Sequence, residues 1–123
     1  LRLPSILVAN TPALVIVCHG GNDILRRLDL SETESNIREM VGLIRAFDAQ
    51  VVIVGVPKPA IFLTSAAYYE RIATDLGVPF DGDSIGNILR DSRYKADAIH
   101  PNAVGYEMLA KSVAELLRDA GAI

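Results

Sequence analysis

The sequence contains one cysteine, Cys18. An internal disulfide framework is therefore excluded, as is a metal site built from several cysteines. Long apolar runs are missing too. The longest, residues 13–18 and 51–54, fall far short of the ~20 residues that a membrane-spanning helix requires. Clustered positive charge is a third absence. The 12 Lys and Arg residues are scattered and the formal net charge is -3, so the chain offers no electrostatic footprint for a phosphate backbone or an anionic membrane surface. Nucleic acid is thereby set aside as a partner. There is no internal repeat, no low-complexity tract and no Gly/Ser linker. The chain opens at Leu1 without an initiator Met or a charged-then-apolar targeting segment, which reads as a truncated or processed N-terminus. Compartment is left open by all of this.

What is present is 123 residues, half of them hydrophobic, enough for one domain over residues 1–123 with an apolar core. Ala13-Leu14-Val15-Ile16-Val17 and Val51-Val52-Ile53-Val54 are continuous aliphatic runs, as expected of parallel strands covered on both faces. Val78-Pro79-Phe80 suggests a shorter third strand. Between the first two, Ser31-Glu32-Thr33-Glu34 fits a capping box, with the Ser31 hydroxyl accepting an amide hydrogen and Glu34 reaching back. The helix that follows should bury Ile37, Met40, Val41, Ile44 and Phe47, leaving Arg38, Glu39 and Arg45 wet. A second helix is expected over residues 65–76, capped by Gly77. A last helix should carry Tyr106, Leu109, Ala110, Val113, Leu116 and Leu117 as its apolar stripe, with Gly121 as the stop. Strand and helix alternate, which predicts an α/β fold whose right-handed crossovers place helices on both sheet faces. Reactive groups in such folds collect at the carboxyl ends of the strands.

Two loops there can carry chemistry. His19-Gly20-Gly21-Asn22-Asp23 follows the first strand, and Asn22 can aim its amide N–H groups at a developing oxyanion. The same string also suits a tight turn in which Gly and Asn supply only geometry. Asp97-Ala98-Ile99-His100-Pro101-Asn102 precedes the last helix. An aspartate three residues before a histidine can accept its Nδ1–H and leave Nε2 as a general base. Equally, Asp97 or Asn102 can cap the helix, with His100 an ordinary loop residue.

Taken together, Gly20-Gly21-Asn22-Asp23 after a strand and Asp97-Ala98-Ile99-His100-Pro101-Asn102 before a terminal helix resemble the SGNH/GDSL hydrolases. The closer likeness is to their arylesterase and lysophospholipase/thioesterase branch. The resemblance implies a flavodoxin-like, three-layer α/β/α fold with a parallel sheet, of which this chain would hold about three strands. It also implies hydrolysis of small carboxylic esters, and some thioesters, through an acyl-serine intermediate without cofactor or metal. In that scheme Asn22 contributes to the oxyanion hole, His100 is the general base and Asp97 orients it. Phe62 and Leu63 would line the acyl or aryl pocket, unless they merely pack against the following helix.

The family's nucleophile belongs to a Gly-Asp-Ser-Leu-like block on an earlier strand, and this chain has no such block upstream of Asn22. It is accordingly expected to be the C-terminal part of the enzyme and, alone, inactive or nearly so. Gly82-Asp83-Ser84-Ile85 imitates that block but follows the third predicted strand, so Asp83 or Ser84 is read as the cap of a short helix through Leu89. Cys18 is read as a small buried core residue, because neighbouring strand residues face opposite ways and His19 is not placed to activate it. His19, Asp23, Asp97 and His100 sit on different loops without metal-ligand spacing. An absent upstream segment would leave the strand of residues 13–17 as an apolar edge, expected to pair with a complementary N-terminal fragment or a second copy. The alternative from another class is a noncatalytic fragment that serves as a binding or assembly module.

Overall fold

Valine and isoleucine density places the sheet. A computed structural model describes residues 2–58 and 63–123, and its strands are β1 (Leu14–Val17), β2 (Gln50–Val54) and β3 (Phe80–Asp81). They are parallel in the order β1-β2-β3. The helices are α1 (Leu3–Asn10), α2 (Gly21–Leu25), α3 (Leu30–Ala46), α4 (Ala67–Leu76), α5 (Ser84–Arg90) and α6 (Ala103–Asp119), with a 3₁₀ turn at Ser92–Tyr94.

Alternation along the strands divides the core into two layers. Val15, Val17, Val51 and Ile53 face one side and pack with Leu7 of α1, Ile37, Val41 and Ile44 of α3, and Tyr69 and Ile72 of α4. Val52 and Val54 face the other side, against Ile85 and Leu89 of α5 and Val113 and Leu117 of α6. The result is the expected α/β/α sandwich. β2 carries it, since its apolar residues are buried on both faces. Truncating Ile53, which is fully buried, would cost about 2–5 kcal/mol.

Several local expectations are corrected. Asp29, not Ser31, caps α3: its Oδ1 accepts the Ser31 N–H at 2.8 Å and the Ser31 hydroxyl at 2.7 Å. The Ser31 hydroxyl therefore donates to the carboxylate, and Glu34 instead receives Arg38 and Arg71, joining α3 to α4. The third strand starts two residues later than predicted, at Phe80. Gly77 takes a left-handed conformation and Val78 N–H bonds the Ala73 carbonyl at 2.9 Å, so Val78 is engaged in closing off α4 and pairing starts at Phe80. Phe47 caps α3 from an exposed position. In α6, Val113 and Leu117 are buried and Leu109 and Leu116 half-buried, whereas Tyr106 and Ala110 are exposed. α1, with Pro4 in its first turn, and the short α2 were not anticipated. Among the described residues no helix is long and apolar enough to cross a membrane.

Candidate functional site

The first loop begins where β1 ends, at Val17. The Tyr69 hydroxyl, fully buried on α4, donates to the His19 carbonyl at 2.6 Å. Gly20 follows with φ 102°. A Cβ there would lie 2.8 Å from the Tyr69 hydroxyl and 3.0 Å from that of Tyr68, so glycine is required for conformation and for space alike. This tight passage launches α2, whose first turn holds Asn22, exposed, and Asp23, half-buried. Asp23 Oδ2 accepts the hydroxyl of Thr33 on α3 at 3.0 Å.

The second loop is closed at its base by a bridge between Lys95 and Pro101 and by the Ala96 N–H bond to the His100 carbonyl, 2.9 Å. Asn102 then caps α6, its Oδ1 accepting the Gly105 N–H at 3.0 Å while its Nδ2 donates to the Arg93 carbonyl at 2.8 Å. The cap of α6 and the Asp97–His100 pair thus coexist on one segment, because separate residues provide them. Inside the loop, Asp97 Oδ1 accepts the N–H groups of Ile99 at 2.8 Å and His100 at 2.9 Å. Its Oδ2 lies 2.8 Å from His100 Nδ1. The Ile99 amide first, then the imidazole, hold the Asp97 carboxyl below its usual range. An ionised carboxylate only accepts, so Nδ1 carries the hydrogen and the Nε2 lone pair is left to take a proton.

The two loops meet at one cavity of about 360 Å³, lined by Asn22 on one side and His100 on the other. Leu63 is part of its wall, with Val56, Leu89, Ile99 and Tyr106. Phe62, named with Leu63 as a pocket residue, lies outside the described residues. Asp97 stands behind His100 rather than in the wall. Ser84 does not line the cavity; it opens α5, where Asp81 Oδ1 accepts its N–H at 3.0 Å. Asp83 holds the N-cap position of that helix, as expected, but without a side-chain bond; the Oδ1 that accepts the Asp83 and Ser84 N–H groups belongs to Asp81. Cys18 corrects the sequence reading. It is exposed and lines the cavity beside His19, just past the end of β1, although desolvation still raises its thiol pKa. Among the described residues no group of three His, Cys, Asp or Glu has the arrangement of a metal site.

Sequence reasoning missed Thr33 and Tyr69, whose bonds to the first loop span 10 and 50 positions and leave no local pattern. It also counted Tyr106 as core from its helical spacing. Val56 and Pro57 had a signal, since they lie in the loop just past the carboxyl end of β2.

Residues 1–108 match the family model of the GDSL-like Lipase/Acylhydrolase family. Esterase TesA of Pseudomonas aeruginosa is 30% identical over an alignment covering 91% of this chain and 59% of that protein. Thioesterase 1/protease 1/lysophospholipase L1 of Escherichia coli K12 is 28% identical, over 95% of this chain and 59% of its own length. The chain thus spans less than two thirds of these relatives. A crystal structure of TesA superimposes with a TM-score of 0.81 at 27% identity, covering 96% of this chain and 69% of the other.

Proposed function

Because this chain belongs to the GDSL-like lipase/acylhydrolase family, we propose that it forms the base-bearing part of a serine esterase acting on small carboxylic esters. His100 takes the proton of the attacking serine and returns it to the leaving group; Asp97 holds the Nδ1–H tautomer; Asn22 donates to the oxyanion of the tetrahedral intermediate. The acyl group rests against Leu63 and the apolar wall around it. The nucleophile comes from outside these 123 residues, a reading supported by the 59% coverage of the relatives and by Ser84 lying away from the cavity. Residues 1–123 act as one SGNH-hydrolase-like unit, completed across β1 by an N-terminal fragment or by a second copy.

One observation carries this reading: a single cavity is lined by both Asn22 and His100, while Asp97 bonds the imidazole from behind. The test compares p-nitrophenyl acetate and butyrate hydrolysis by the chain alone and by the product of the entire open reading frame that contains it. Activity is expected from the latter, falling by ~10²–10⁴ in His100→Ala. His100-dependent turnover by the chain alone would move the nucleophile to Ser84 or Cys18. Silence in both settings would leave a noncatalytic module.

A further inference from the structure

Thr33 is 3% exposed in the first turn of the amphipathic α3. A buried hydroxyl without a partner is costly, and a helical threonine usually satisfies itself on the carbonyl four residues back. That carbonyl, of Asp29, is 3.4 Å from Thr33 Oγ1, whereas Asp23 Oδ2 is at 3.0 Å. The shorter bond therefore leaves the helix for a carboxylate, the stronger acceptor. Its partner adjoins Asn22 in α2. The methyl of the same side chain guards the other end of the turn, since a Cβ on Gly20 would lie 3.1 Å from Thr33 Cγ2.

We propose that Thr33 is a positioning residue for Asn22: through its bond to Asp23 it fixes the orientation of α2, and with it the direction of the Asn22 amide. The proposal rests on the assignment of Asn22 as an oxyanion donor. Such a donor acts only when its hydrogen already points to where charge will develop, and displacement by about 1 Å costs on the order of 10² in rate. α2 has only five residues and few internal bonds to hold it. The Asp23–Thr33 bond ties it to the 17-residue α3. If the hydroxyl merely satisfied itself, its loss would weaken the fold and leave the chemical step alone.

The test is a double-mutant cycle on the esterase-active protein that contains this chain, with p-nitrophenyl butyrate as substrate. Thr33→Val, close to isosteric, is expected to lower kcat by about 10–100-fold with KM within about twofold. Thr33→Ser should recover most of it. In an Asn22→Ala background, Thr33→Val should add nothing further, because the donor it positions is gone. An unchanged kcat in Thr33→Val, multiplying effects in the double variant, or no recovery by serine would each overturn the proposal. An unchanged kcat in Asn22→Ala would instead remove the oxyanion assignment beneath it. Should Thr33→Val not fold, Asp23→Ala takes its place in the same cycle with the same expected non-additivity.

Discussion

His100 Nδ1 lies 3.0 Å from one oxygen of Asp97 and 2.8 Å from the other, and both side chains are more than half exposed at 58% and 56%. An exposed pair of this kind adds little to stability; what it supplies is a fixed imidazole. The Asp97 carboxyl is held down first by the Ile99 amide and only then by His100. Its midpoint in an NMR titration should therefore lie below the ordinary value of about 3.9, and His100→Ala should raise it only part of the way. The sign follows from a depressed folded pKa. The bonding that Asp97 provides is present above its unfolded pKa and is lost as pH falls through the lower folded one. No Asp97 protonation is expected between pH 5 and 8, and full return to the ordinary carboxylate value in His100→Ala would refute the order of causes.

Two helical glycines should respond to alanine with opposite signs. Gly42 is exposed in α3 and a Cβ there meets nothing within 4 Å. Gly42→Ala should stabilise by about 0.8–1 kcal/mol through helix propensity. Gly105, in the first turn of α6, has the Tyr94 carbonyl oxygen 2.2 Å from the same imagined atom, with Ile88 and Pro101 atoms at 2.9 Å. Gly105→Ala should destabilise by ~1–3 kcal/mol and disturb the loop that ends at Pro101. Urea unfolding of both variants decides the matter, and equal signs would contradict the packing described for α6.

These contrasts show which features a sequence can carry. β2 was legible because four consecutive Val and Ile residues have no better place than a sheet covered on both faces, and α4 ended at Gly77 as anticipated because its left-handed conformation is a local matter. The loops with Asn22 and with Asp97 and His100 were legible for a similar reason, each being a short polar string beside an apolar element. Asp29 against Ser31 was not decided by pattern, since both residue types cap helices and only the carboxylate's reach separates them. Thr33 to Asp23 and Tyr69 to His19 join different elements, and periodicity is blind to such pairs. Tyr106 obeys helical spacing but faces the cavity.

Cys18 combines exposure with a thiol whose packed surroundings push its pKa above the ordinary 9.0. The thiolate is the reactive species, so alkylation by iodoacetamide at pH 7.5 should be slower than that of free cysteine. It should rise steeply only as pH passes the raised pKa. Mass spectrometry of timed samples measures this directly. A rate at or above that of the free amino acid would mean that the sulfur is activated and that Cys18 belongs to the chemistry of the cavity it lines.

The sheet has two edges, and they are not alike. β3 has two residues, Phe80–Asp81, and Asp81 is occupied in accepting the Asp83 and Ser84 N–H groups, so this edge is short and locally guarded. β1 pairs only with β2 among the described residues, and Ile16 within it is 49% exposed. An apolar strand with one free side is a template for another strand. Light scattering of the 123-residue chain at micromolar concentration should therefore report a species larger than the monomer, and Ile16→Lys should shift it toward the monomer by charging the edge. Association that survives Ile16→Lys would point to another apolar surface, for which Ile6 and Val8 on α1 and Val104 and Met108 on α6 are among the exposed candidates. A strictly monomeric wild-type chain would show that the β1 edge needs no partner, and the proposal of completion across it would fall.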